Sequence, residues 1–170
     1  MVFITGEKID LRNITNDDTP LIIKWRNNQR VSENFIYREK LTVSEHEKWI
    51  RTKINTGEVI QFIICEKLKK RPVGTVYLRF YKDDKKEAEY GIFIGEDDAI
   101  GKGYGNETAT LVCNYAKDTL QLKRLFLRVL TTNNIARKSY EFAGFVYSCE
   151  QKIECSDGVT RDIIIMEKVL

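Results

Sequence analysis

At 170 residues the chain has the length of one domain that can bury one ordinary core. Its 42% hydrophobic and 31% charged composition is that of a soluble globular protein and excludes a disordered chain. Lys and Arg number 28 against 25 Asp and Glu, and this +3 is scattered along the sequence, which argues against a nucleic-acid binder with its cations in one stripe.

Lys8–Ile14 alternates Ile9 and Leu11 with charged neighbours and predicts a strand. Asp17-Asp18-Thr19-Pro20 predicts a helix start, with an Asp cap and a Pro in the first turn, running on through Leu21, Ile22 and Trp25. Thr42-Val43-Ser44-Glu45 has capping-box spacing and opens a second helix through Trp49 and Ile50. Val59–Glu66 is nearly all apolar, as a strand covered on both faces must be. The basic run Lys67-Leu68-Lys69-Lys70-Arg71 then predicts a solvated turn, and Val73–Tyr81 and Glu87–Gly95 predict two more strands.

From Lys102 to Leu120 the positions Tyr104, Leu111, Val112, Tyr115 and Ala116 recur at helical spacing. Leu125–Leu130 predicts a strand, and Asn133 to Phe142 a short helix stopped at Gly144. Phe145–Glu154 and Val159–Val169 predict two last strands around the turn Ser156-Asp157-Gly158. This order implies an α+β fold, an α/β sandwich with a mixed sheet of six to seven strands and about four helices on its faces, in one domain over residues 1–170.

Four cysteines lie far apart with no CxxC, and His46 is the only histidine, so no metal site is expected. No apolar run approaches the ~20 residues that span a bilayer, and the N-terminus has no signal-peptide pattern. With four thiols expected to be reduced, the expectation is a cytoplasmic protein without membrane or nucleic-acid partners.

The chemistry concentrates in Gly101-Lys102-Gly103-Tyr104-Gly105, between a strand with its acidic loop and the long helix. Glycine reaches positive φ cheaply and admits a ligand close to the backbone. A helix start adds free N–H donors and the positive end of the helix dipole. By itself the turn is either a phosphate or pyrophosphate cradle or a plain flexible junction. The spacing matches neither the G-x-G-x-x-G dinucleotide fingerprint nor a P-loop.

From about Glu87 to Phe145 the chain resembles the GNAT N-acetyltransferase superfamily, in the branch of ribosomal-protein alanine, spermidine and amino-sugar acetyltransferases. Ile100, Gly101, Lys102, Gly103, Tyr104 and Gly105 match the family's [Q/R]-x-x-G-x-[G/A] turn, with Ile100 where Gln or Arg is usual. Asn133 to Phe145 is similar to its N-x-x-A-x-x-x-Y-x-x-x-G-F segment. The resemblance implies transfer of an acetyl group from acetyl-CoA to a primary amine by direct attack, without a metal. It implies that Ile100 to Asn106 hold the pyrophosphate and that Phe93 and Ile94 offer backbone groups to the pantetheine and the oxyanion. Asn133 and Ala136 would contact the pantetheine, and Tyr140 would face the thioester sulfur as the acid.

On the acceptor side, Glu89 is the candidate base, an exposed strand carboxylate being the alternative. Trp25-Arg26-Asn27, and His46 followed by Trp49, are similar to members that acetylate nucleotide-linked amino sugars. Trp25, Arg26, Glu33 and His46 are accordingly the candidate acceptor-binding residues; Arg26 would pair with an acceptor phosphate or form a helix salt bridge, and Glu33 would meet a cationic acceptor. The acceptor classes left open are a protein N-terminus, a polyamine and a nucleotide-linked amino sugar. The resemblance also admits a homodimer, and the alternative function is a non-catalytic acyl-CoA-binding module.

Overall fold

A computed structural model describes residues 3–81 and 86–170. The strand-forming stretches join one sheet in the order β1-β2-β3-β4-β5-β6-β8-β7. Its strands are β1 (Phe3–Thr5), β2 (Ile9–Asn13), β3 (Val59–Glu66), β4 (Arg71–Arg79), β5 (Glu87–Ile94), β6 (Arg124–Leu130), β7 (Val146–Glu154) and β8 (Thr160–Val169). All neighbours are antiparallel except β5 and β6. The α-helices are α1 (Thr19–Arg26), α2 (Gln29–Ser32), α3 (Val43–Trp49), α4 (Tyr104–Asn114) and α5 (Asn134–Phe142).

The α+β class is as the sequence implies, with one strand and one helix more than expected. Three-residue β1 and one-turn α2 are too short to show a period of two or of 3.6. β4 starts at Arg71, before the expected Val73, and its register shifts opposite Ile64 and Cys65. Pro72 lacks the N–H that a regular ladder would need there. The basic run turns between paired Glu66 and Arg71, with Leu68 exposed.

Alternation sends each strand's side chains to two different layers. Phe62, Ile64, Val76, Leu78, Ala88, Tyr90, Leu125, Leu127 and Val129 form the main core with α4 and α5. On the opposite face Ile63, Cys65 and Phe93 pack with Ile22 and Trp25 of α1. Helices therefore cover both faces, and β3 is buried along nearly its whole length. No helix among the described residues is long and apolar enough to cross a membrane.

The helix starts differ in what closes them. Thr42 and Glu45 form the reciprocal capping box: the Glu45 N–H donates to Thr42 Oγ1 at 3.3 Å and the Thr42 N–H to Glu45 Oε2 at 2.8 Å. At α1 the Asp18 carboxylate makes no cap bond. It instead binds both terminal nitrogens of Arg12, at 2.7 and 2.8 Å, and the Thr15 N–H. Thr42→Ala is expected to cost about 1 kcal/mol and to lower Tm by roughly 2–4 °C, read by thermal denaturation.

Candidate active site

The sheet opens where its one parallel pair separates. β5 and β6 are paired only from Glu87↔Arg124 to Glu89↔Phe126, yet β5 continues to Ile94 and β6 to Leu130. Each diverging strand stays bound on its other side, β5 to β4 as far as Gly74↔Ile94 and β6 to β8 as far as Leu130↔Ile163. The wedge thus exposes a run of β5 edge with no β6 partner, and a cleft of about 800 Å³ passes through it. Glu89, Gly91, Phe93 and Arg128 belong to its α1 face, and Tyr90, Tyr140 and the glycine-rich turn to its α4/α5 face.

At one end lies the turn from Gly101 to Gly105. Gly101 (φ +76°) and Gly103 (φ +80°) are left-handed, a conformation that a Cβ disfavours. Gly103 is the N-cap of α4 and carries no side chain to cap it. The first intrahelical bond runs from Glu107 N–H to Gly103 O, and no acceptor among the described residues takes the N–H groups of Gly101 to Asn106. These free donors stand at the positive end of an 11-residue helix. The donor set fits a pyrophosphate. Tyr104 anchors the turn from below, its hydroxyl donating to buried Glu66 at 2.9 Å. That bond, with Lys102 and Arg71 nearby, holds the Glu66 carboxyl below its usual pKa.

α5 forms the adjoining wall. Asn133 caps it, its Oδ1 accepting the Ala136 N–H at 3.2 Å, and Ser139 hydrogen-bonds to Asn106 across the cleft. Tyr140 lines the cleft with its ring against Tyr90 and Phe145, at 6.2 and 6.1 Å between centroids. Burial pushes its hydroxyl up to about 12. Phe93, Ile94, Ile100, Gly101, Gly103, Tyr104, Gly105, Asn106, Asn133, Ala136, Tyr140 and Glu89 all line this one cleft. Lys102 does not; it flanks a smaller recess with Lys8 and Glu66, its Nζ 3.8 Å from Glu66.

The acceptor side departs from expectation. Glu89 is in the cleft and buried, but its oxygens are occupied: Arg128 Nε donates to Oε1 at 2.7 Å and the Tyr81 hydroxyl to Oε2. Both carboxylate oxygens thus already hold a donor, the guanidinium on one and the phenol on the other. The geometry of Glu89 is that of a counter-ion to Arg128 rather than of a free base.

None of Trp25, Arg26, Glu33 and His46 lines the cleft. Trp25 is wholly buried, its ring filling the space where Gly95 has no Cβ, and its Nε1 donates to Glu96 at 2.7 Å. Arg26 lies 3.7 Å over the Phe35 ring and donates to the Tyr37 carbonyl; Asn27 exchanges two bonds with Leu41. Arg26 and Asn27 thus hold the segment before α3, which carries the cleft wall, while Trp25 packs on the end of β5. Glu33 is exposed and accepts from Gln29.

His46 is buried between α1 and α3, its Nδ1 hydrogen-bonded to Thr19 Oγ1 at 2.9 Å and its Nε2 without a partner. Burial lowers its pKa, opposed in part by Asp18. A folded pKa below the unfolded ~6.5 means that His46 leaves stability intact above pH ~6.5 and erodes it as pH falls towards the folded value. Tm is expected to drop between pH 7 and 5, and His46→Gln to flatten that drop; an unchanged slope in a differential scanning calorimetry series would assign it elsewhere.

Residues that the motifs did not indicate complete the wall. Arg30, Asn34, Phe35, Ile36 and Tyr37 come from α2 and the segment after it, Tyr77 from β4 and Arg128 from β6. Arg30 ties this wall to the end of β5, bonding the Ile94 carbonyl at 3.0 Å and Asp97 at 2.6 Å. The available signal was the charge of Glu89 and Arg128 inside otherwise apolar strands.

Among solved structures, spermidine N-acetyltransferase from Vibrio cholerae, in complex with CoA and spermine, aligns over 96% of each chain with TM-score 0.86 and 22% identity. Ribosomal-protein-S5-alanine acetyltransferase from Vibrio fischeri aligns over 99% of this chain and 97% of its own, with TM-score 0.83 and 18% identity. These likenesses are of fold. An uncharacterised protein of Methanocaldococcus jannaschii is 32% identical over 139 residues, which span 81% of this chain but 28% of that protein. Alpha/beta-tubulin-N-acetyltransferase 9 of Drosophila melanogaster is 26% identical over 168 residues, covering 92% and 84% of the two chains. Residues 8–146 match the model of the acetyltransferase (GNAT) domain. That match runs from β2 to the start of β7 and takes in the whole cleft, so the chain belongs to the GNAT acetyltransferase family.

Proposed function

We propose that the chain is an acetyl-CoA-dependent N-acetyltransferase whose acceptor is a primary amine on an anionic, ring-bearing small molecule, a nucleotide-linked amino sugar being the class that fits best. The observation that carries this is a cleft through the sheet with free N–H donors at one end and a basic, aromatic wall at the other.

Acetyl-CoA supplies the thioester that the amine attacks. The N–H groups of Gly101 to Asn106 hold its pyrophosphate, while Asn133, Ala136 and the open edge of β5 at Phe93 and Ile94 bind the pantetheine. The unpaired β5 edge also supplies backbone N–H groups where negative charge develops. Tyr140 stands on the cofactor face of the gap and donates a hydrogen bond to the departing thiolate.

On the acceptor face the wall offers Arg128, Phe35, Tyr37 and Tyr77, while Arg30 is held by Asp97 and the carboxylate at Glu89 is already paired. A polycation finds no free charge there, whereas stacked rings and phosphates find partners. With Glu89 engaged, the amine reaches the cleft neutral or loses its proton to solvent. For a lysine-like amine at pH 7 that costs roughly 4–5 kcal/mol, and less for a weaker base.

The test is CoA release across an amine panel: UDP-linked amino sugars, spermidine and peptides with free N-termini. Turnover confined to the UDP sugars supports the reading. Preference for spermidine or peptides would overturn the acceptor, and acetyl-CoA binding without release from any amine would leave a binding module.

A further inference from the structure

We propose that Arg128 determines acceptor specificity, its terminal nitrogens gripping the phosphate of a phosphorylated or nucleotide-linked amino sugar at the throat of the cleft; this rests on the transferase reading above.

The strand geometry puts the guanidinium there. Phe126 is the last β6 residue paired to β5, so Arg128, two residues on, shares the face of Glu89 but lies beyond the closed part of the sheet. Glu89 approaches only its Nε, at 2.7 Å, and no other carboxylate among the described residues lies within ion-pair reach. Side-chain exposure is 26% for Arg128 and 4% for Glu89, so the carboxylate is sealed while the guanidinium keeps an open end. Of the five N–H donors of arginine, those on the terminal nitrogens make no bond to a described residue. Tyr77 lines the same cleft, its ring over Gly91 where a Cβ would meet Cζ at 2.3 Å.

A guanidinium held through Nε presents its two terminal nitrogens as a fork, which matches two oxygens of one phosphate. Glu89 fixes the fork's direction and Tyr81 fixes Glu89. Lysine at this position would satisfy Glu89 with its one nitrogen and have no fork left for the substrate. Arg128→Lys therefore separates support of Glu89 from recognition of the acceptor.

The experiment compares glucosamine, glucosamine 6-phosphate and a UDP-linked amino sugar as acceptors at saturating acetyl-CoA. The wild type is expected to favour the phosphate-bearing acceptors by about 10–100-fold in kcat/KM, a contact to a charged group. Arg128→Lys is expected to remove most of that preference, with kcat/KM falling further for the phosphate-bearing acceptors than for glucosamine. Equal loss for all three acceptors would reduce Arg128 to a support for Glu89 and overturn the proposal. So would a wild type indifferent to phosphate, a comparison that needs no variant to fold. If the wild type binds acetyl-CoA yet releases CoA with no amine, the transferase reading itself falls and the proposal with it; turnover without phosphate preference overturns Arg128 and the anionic acceptor but leaves the transferase.

Discussion

Tyr140→Phe is expected to lower kcat by about 100-fold or more while the acetyl-CoA KM stays within about threefold. The phenyl ring would keep its edge contacts with Tyr90 and Phe145, so the fold is retained and only the hydroxyl is lost. With that hydroxyl pushed up to about 12, proton transfer to an ordinary thiolate at ~8.5 is uphill by about 5 kcal/mol. In the proposed reaction Tyr140 would accordingly act by donating a hydrogen bond that strengthens as charge gathers on sulfur. It also stays protonated through pH 6–10, so any alkaline limb of the wild-type rate in that range belongs to another group. Steady-state kinetics decide the matter: an unchanged kcat in the variant would remove Tyr140 from the chemistry.

Trp25→Ala is expected to cost about 3–5 kcal/mol of stability, with Tm lowered by roughly 10 °C. The indole has no exposed surface, meets Phe93 edge-on at 6.4 Å and lies on the backbone of Gly95. Its removal would empty the layer between α1 and the end of β5 and leave Glu96 to Lys24 alone. Trp25→Phe restores most of the volume without the N–H and is expected to lose about 1–2 kcal/mol. Urea denaturation of the two variants gives the comparison. A stable Trp25→Ala protein with a raised acceptor KM would instead return Trp25 to the acceptor site.

The expected cofactor residues line one cleft because their parts are contiguous. Gly101 to Gly105 need only their own backbone conformation and the helix that follows, and Asn133 caps the helix that carries Tyr140 within one short segment. Ile100 shows the same economy, since the free donors after it are main-chain N–H groups and do not depend on the side chain at that position.

The acceptor candidates are not brought together in the cleft, for the opposite reason. Trp25 and His46 carry chemistry by residue type, but burial spends Trp25 on Gly95 and Glu96 and His46 on Thr19. Arg26 is one layer removed from the cleft, behind Phe35. Glu89 looked like a base because its strand position was correct, while its partner Arg128 lies 39 residues away.

By itself, then, the sequence determined the order of all strands and helices but β1 and α2, the left-handed glycine turn at the start of α4 and the α5 segment with Tyr140. These follow from local periodicity, capping and backbone freedom. Only the tertiary structure decided that β5 and β6 part after three residue pairs, that Glu89 is locked to Arg128, and that Arg30, Phe35, Tyr37 and Tyr77 form one wall. Sheet divergence and ion pairing between distant strands depend on how whole elements pack, which no local pattern of residues encodes.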